Sequence, residues 1–224
     1  MSARRIGVLG GMFDPVHLGH LELARVALEE LALDELRMVP CHLPNHRAPA
    51  AASAQARLTM LSLATQDDPR ILVDDRECRS QETSYTVDTL LSLHAQFPAA
   101  TLVLVLGEDA FAGLEHWHRW QRILELANVL VVSRPDMPVA WSKTLLALLD
   151  RCQVDRVQDL LEHSCGALLH SSKMRRNISS TVVREALLAR RDTAALLPSC
   201  VQDYIAAHRL YTSIGAGAAR LLQP

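Results

Sequence analysis

The chain has no long apolar run. Its longest, "TLVLVLG" at 101–107 and "NVLVVS" at 128–133, are strand-length and far short of a membrane span. The opening "MSARRIGVLGG" holds no apolar core of signal-peptide length. None of the five cysteines (Cys41, Cys78, Cys152, Cys165, Cys200) stands in a C-x-x-C pair, which argues against a disulfide framework and against a structural zinc site. Charge of one sign is also missing. A formal net charge of −2 gives no support to broad nucleic-acid or anionic-membrane binding. No internal repeat and no composition shift marks a domain boundary. The expectation from these absences is a soluble, cytoplasmic protein with reduced thiols.

What is present is an ordinary globular composition. Of 224 residues 49% are hydrophobic and 21% charged, enough to bury a core in one α/β domain. Runs at 5–10, 36–40, 70–75, 101–107, 128–134 and 166–171 are nearly continuously apolar, as parallel strands covered on both faces are. Helical patterns lie at 20–32, 54–65, 86–97, 118–127, 142–151, 180–191 and 199–208. The alternation predicts a Rossmann-like, doubly wound parallel sheet with a small helical C-terminal part. Residues 1–213 read as a single domain, helical from about 179, and 214–224 as a flexible tail. The stretch 41–54 reads as a mobile loop.

The densest chemistry is "GVLGGMFDPVHLGH" at 7–20. In a doubly wound sheet, ligands bind beyond the carboxyl ends of the strands where the order reverses. Gly10 and Gly11 follow the first strand directly, so they bring backbone N–H groups close to such a ligand. The dinucleotide fingerprint would need a glycine at Leu9, and the Gly-Lys-Ser/Thr of a P-loop is absent. His17 and His20 share one face at a helix N-terminus, where dipole and free N–H groups favour an anion. Gly19 between them removes a side chain that could block a ligand. Plainer readings are a surface histidine pair, and Asp14 as a turn cap fixed by Pro15. A metal site would need a third ligand, for which Asp14 and Glu22 are poorly spaced.

A second stretch, "ISSTVVREALL" at 178–188, places Ser179, Ser180 and Thr181 at a helix start and Arg184 on the same face. A serine there is an ordinary N-cap. Hydroxyls, a guanidinium and a helix N-terminus together also make a second anion site, and two on one sheet edge suit a polyphosphate.

These two segments resemble the H-x-G-H and I-S-S-T-x-x-R signatures of the nucleotidyltransferase superfamily. "SYTVDTL" (84–90), "LGEDAFAGLEHWHRW" (106–120) and "VVSRP" (131–135) are similar to the bacterial nicotinate-nucleotide adenylyltransferases, and the similarity runs from about residue 5 to about 210. One departure is Met12, where the family usually has Ser or Thr, so any hydroxyl contact there is lost or replaced by the backbone.

The resemblance implies transfer of AMP from ATP to nicotinic acid mononucleotide, with Mg²⁺ arriving on ATP and no metal site of the protein's own. It implies that His17, His20 and Arg184 are catalytic, His20 at the α-phosphoryl group and Arg184 with Ser180 at the β- and γ-phosphates. It assigns ATP binding to Gly10, Gly11, Met12, Phe13, Gly107, Asp109, Arg134, Ile178, Ser179, Ser180 and Thr181. It assigns the mononucleotide to His46, Arg47, Ser84, Tyr85, Thr86, Trp117 and His118. Without it, Asp109 reads equally as a helix cap, Trp117 as a core residue, and His46 with Arg47 as a solvated pair. The expected partners are those two substrates, with no nucleic acid and no membrane; monomer and homodimer stay open. The alternatives are a sister enzyme preferring nicotinamide mononucleotide, and a non-catalytic nucleotide-binding regulator.

Overall fold

The computed structural model describes residues 3–42, 50–80, 82–135 and 139–212. Seven strands form one parallel sheet: β1 (Arg5–Gly11), β2 (Glu35–Pro40), β3 (Ile71–Val73), β4 (Thr101–Gly107), β5 (Asn128–Val132), β6 (Gln153–Val154) and β7 (Leu168–Ser171). Their order is β3-β2-β1-β4-β5-β7-β6. The helices among the described residues are α1 (Leu18–Glu30), α2 (Ala54–Thr65), α3 (Arg76–Arg79), α4 (Thr86–Gln96) and α5 (Glu108–Ala112), then α6 (Trp120–Leu126), α7 (Lys143–Cys152), α8 (Val157–Glu162), α9 (Ser180–Leu188) and α10 (Ser199–Ala207). A 3-10 turn, Leu114–His116, precedes α6. None of these helices is long and apolar enough to cross a membrane.

The continuous hydrophobicity of the strands has a direct cause. Successive side chains leave a strand on opposite faces, so a strand covered on both sides must be apolar at every position. On β4, Val103 and Val105 enter one core with Leu9, Met38, Leu130 and Val132, beneath α1 and α2. Leu102, Leu104 and Leu106 enter the other with Ile6, Val8, Val129 and Val131, beneath α4 and α6. Each such fully buried side chain contributes about 1.5–3 kcal/mol relative to exposure.

The order of pairing reverses between β1 and β4. β1 pairs with β2 on one side and β4 on the other. The crevice at their carboxyl ends is therefore the topological switch point, where this architecture binds ligands. Gly11 ends β1 and Gly107 ends β4, so the two glycine-bearing segments meet there.

The C-terminal helices close one side. α10 packs on α2, and the N–H of Leu18, the first residue of α1, donates to the Leu196 carbonyl at 2.9 Å. Several boundaries shift from the sequence expectation. β5 stops at Val132, and Arg134 two residues on lines the crevice. β6 is two residues long, too short to show a period. α1 starts at Leu18 because His17 caps it. The expected tail, 214–224, lies outside the described residues, as do residues 43–49 of the 41–54 loop, including His46 and Arg47.

Candidate active site

A cleft of about 580 Å³ opens at the switch point. The end of β1 and the loop after it line the cleft with Gly10, Gly11, Met12 and Phe13, and the N-terminus of α1 brings His17 and His20. A Cβ on Gly10 would meet nothing within 4 Å, so the backbone there is open to a ligand. Phe13 holds φ at 47°, a left-handed conformation rare for a bulky residue, and its ring stands edge-on to His20 at 5.0 Å. Backbone strain of this kind clusters at functional sites.

His17 and His20 form a reciprocal cap. The Nδ1 atom of each accepts the other's backbone N–H at 3.3 Å, and the rings stack at 3.7 Å with 20° between planes. Because both Nδ1 atoms are acceptors, each neutral ring carries its proton on Nε2. Burial, and secondarily the Arg134 charge, lowers the His17 pKa to about 3. Burial, then His17 and Arg134, holds His20 well below the ordinary imidazole range. At neutral pH the free site thus offers two uncharged Nε2–H donors.

Gly19 has a different job from the one expected. A Cβ there would sit 3.1 Å from His17 Nδ1 and 3.4 Å from Ile178 Cβ. The glycine lets the first motif pack directly on the second, and it leaves the His17 ring undisturbed. Ile178 is correspondingly buried against it and does not line the cleft.

The second motif lies beside the first. Ser179 is the N-cap of α9, accepting the Val182 N–H at 3.3 Å. Ser180 donates its hydroxyl proton to the Pro15 carbonyl at 3.2 Å, and Arg184 donates from Nη1 to the Asp14 carbonyl at 2.6 Å and from Nη2 to Thr181 Oγ1 at 3.4 Å. Ser179, Ser180, Thr181 and Arg184 all line the cleft. The start of α9 and the His17–His20 pair at the start of α1 therefore bound the same space, although the Leu18, His20 and Leu21 N–H groups of α1 are already taken by the Leu196 carbonyl and by His17.

Across the cleft, Asp109 stands 3.5 Å from Arg134 Nη2. Asp109 does not cap α5, whose N-cap is Gly107. A Cβ on Gly107 would lie 2.8 Å from Asp109 Oδ1, so glycine leaves this carboxylate the place it takes beside the strand end. Further along, Ser84, Tyr85, Thr86, Trp117 and His118 form the opposite end of the cleft. Tyr85 is the N-cap of α4 and supplies no side-chain cap; its carbonyl takes the Asp88 and Thr89 N–H groups at 3.0 and 3.1 Å, and Thr86 at the first helical position lines the cleft. The Tyr85 and His118 rings lie 4.3 Å apart. Trp117 is half-buried, packed on the core at one side and lining the cleft at the other.

Three residues at this site, Arg57, Glu77 and Tyr211, were assigned no role from sequence, and a fourth, Asp14, has another than the one expected. Asp14 is not a local turn cap: its carboxylate accepts the N–H groups of Ala51 at 2.6 Å and Ala52 at 3.1 Å and the Tyr211 hydroxyl at 2.6 Å. Arg57 is fully buried on α2 and donates to the Met12 carbonyl at 2.7 Å. Its signal was present, since Arg57 falls with Met60 and Leu61 at the i, i+3, i+4 spacing of an apolar stripe. Glu77 lines the cleft and accepts the Thr89 hydroxyl at 2.6 Å, and burial raises its pKa. Tyr211 carried no sequence signal.

A parallel sheet with its switch point lined by paired imidazoles, two helix N-termini and a guanidinium defines a nucleotidyltransferase. Residues 8–186 match the cytidylyltransferase-like family. The chain is 42% identical to the "Probable nicotinate-nucleotide adenylyltransferase" of Cellvibrio japonicus, over 92% of this chain and 98% of that one. It is 40% identical to the protein of the same name from Pseudomonas putida, over 94% and 96%. Its fold is similar to that of the Plasmodium falciparum nicotinic acid mononucleotide adenylyltransferase complexed with NaAD, with a TM-score of 0.70 at 19% identity, covering 93% of this chain and 97% of that one. The chain belongs to the nicotinate-nucleotide adenylyltransferase family.

Proposed function

We propose that the chain transfers AMP from ATP to nicotinic acid mononucleotide, releasing pyrophosphate and forming deamido-NAD. A phosphate oxygen of the mononucleotide attacks the α-phosphorus in line. One P–O bond forms as the bond to the β-phosphate bridge breaks, with no covalent protein intermediate. The work left to the protein is positioning and charge stabilisation.

The observation that supports this most is the reciprocal cap of His17 and His20 beside the N-terminus of α9. Two fixed Nε2–H donors suit oxygens that gain negative charge, with His20 at the α-phosphoryl group. A preorganised donor of this kind is worth about 2.7–4 kcal/mol in the transition state. Arg184 and the N–H groups of Ser180 and Thr181 hold the β- and γ-phosphates. Asp109 binds ribose hydroxyls, and Arg134 borders the adenine. At the other end, the uncapped N-terminus of α4 receives the pyridine carboxylate while Trp117 stacks on the ring.

Magnesium belongs to the ATP substrate in this reading. Among the described residues the carboxylates lining the cleft are Asp14, Glu77 and Asp109, and each already faces a partner: backbone N–H groups with Tyr211, Thr89, and Arg134. That donor set fits an ion coordinated by phosphates and water rather than a protein cage. Bound there, the ion would neutralise phosphate charge as pyrophosphate leaves.

The test is incubation with α-labelled ATP, Mg²⁺ and nicotinic acid mononucleotide. Label should appear in deamido-NAD in equal amount to the pyrophosphate released. Label confined to ATP, or appearing as free AMP, would overturn the proposal.

A further inference from the structure

Tyr211 lies outside the cleft, near the end of the described chain, yet its hydroxyl reaches Asp14 Oδ1 at 2.6 Å. The backbone is conformationally costly at Tyr211 and at the residue before Asp14. Tyr211 holds φ at 57°, and Phe13, next to Asp14, holds 47°. A bulky side chain persists in that region only where its surroundings over-determine it, and such outliers point to function. Burial and the Asp14 charge push the Tyr211 hydroxyl far above its ordinary pKa, so it stays a protonated donor.

Asp14 in turn has two polar ends. Its buried carboxylate takes Tyr211 together with the N–H groups of Ala51 and Ala52, and its carbonyl takes Arg184 Nη1 at 2.6 Å. Arg184 Nη1 also stands 4.0 Å from the Asp14 carboxylate. The tyrosine therefore grips, from behind, the peptide on which the cleft arginine rests. Phenylalanine at 211 would keep the ring and remove only the grip.

We propose that Tyr211 is a positioning residue for the ATP-phosphate side of the site, acting through Asp14 on Arg184. The inference rests on the reading above that Arg184 holds ATP phosphates. A charged hydrogen-bonded hub that loses one of its donors rearranges around the vacancy, and the group it aims moves with it.

The experiment is calorimetric titration of the full-length chain with a magnesium complex of a β,γ-methylene ATP analogue, in wild type, Tyr211→Phe, Arg184→Ala and the double variant. Tyr211→Phe should weaken binding by about tenfold, and in the Arg184→Ala background by less than about twofold, because interacting residues are non-additive. A Tyr211→Phe affinity within twofold of wild type would overturn the inference. So would losses that multiply in the double variant. A purely structural tyrosine would lower the melting temperature and leave the affinity of the folded protein unchanged. If Tyr211→Phe does not fold, Asp14→Asn replaces it, with the same expected loss and the same non-additivity with Arg184→Ala. Wild-type protein that does not bind the analogue would instead overturn the functional reading itself.

Discussion

His17 and His20 each accept the other's backbone N–H through Nδ1, at 3.3 Å, with their rings stacked at 3.7 Å. One arrangement thus starts a helix, fixes two tautomers and aims two donors. The consequences can be measured separately.

In the free protein neither histidine should titrate between pH 8 and pH 5. His17 is lowered to about 3 and His20 lies well below the ordinary range, both chiefly by burial. Imidazole nitrogen NMR should show the Nε2–H tautomer throughout that window. A midpoint near the unperturbed value of about 6.5 for either would contradict the geometry.

The same depression links stability to pH. A histidine neutral when folded but protonated when unfolded contributes fully above about pH 6.5, and that stability is lost as pH falls toward the folded value. On going from pH 7.5 to 5.5, wild type should lose about 1 kcal/mol more of its unfolding free energy, measured with urea, than His17→Asn loses. Equal losses would show that His17 is already charged in the native state.

Capping and catalysis come apart at position 17. Alanine should lower stability by about 1 kcal/mol through loss of the cap, whereas asparagine, a good N-cap, should restore it. Neither supplies the Nε2–H donor, so kcat should stay down by about 10²-fold in both. If asparagine recovers near wild-type turnover, His17 is a cap only.

Gly19→Ala sets two effects against each other. Alanine in a helix is favoured over glycine by up to about 1 kcal/mol. Its methyl group would press on His17 Nδ1 at 3.1 Å and on Ile178 at 3.4 Å. The expected result is a melting temperature close to wild type with kcat reduced about tenfold or more, since small misplacements of a donor are costly. Unchanged kcat would remove the packing argument.

Met12→Ser should change kcat/KM by less than about threefold. Met12 lines the cleft and its carbonyl is fixed by Arg57, so the backbone is already set without a side-chain hydroxyl. A many-fold gain would mean that the hydroxyl usual in the family is missed here.

Much of this was legible in sequence because it rests on local pattern. The strand runs are apolar for the reason that both faces are covered, and the second motif helix begins at Ser179, a residue type that caps; the cap at His17, which starts α1 two residues early, was not foretold. What stayed hidden depends on distant partners. Nothing near Asp14 foretells that Tyr211 or Ala51 will bond to it, and Gly19 could not be understood before Ile178 was seen against it. β6 and the short helices α3, α5 and α8 are too brief for a hydrophobic period, and tertiary contacts hold them.

The reaction proposed for this cleft is adenylyl transfer to an acid-bearing pyridine nucleotide. The uncapped N-terminus of α4 offers donors to a carboxylate, and a carboxamide bound there would be left imperfectly paired. The most direct measurement is pyrophosphate release with Mg-ATP, comparing nicotinic acid mononucleotide with nicotinamide mononucleotide at equal concentrations. A preference for the acid of about a hundredfold or more is expected, within the range that polar mismatch can give. Comparable rates with the two would contradict the assignment of Tyr85, Thr86 and Trp117, and no release with either would contradict the transfer itself.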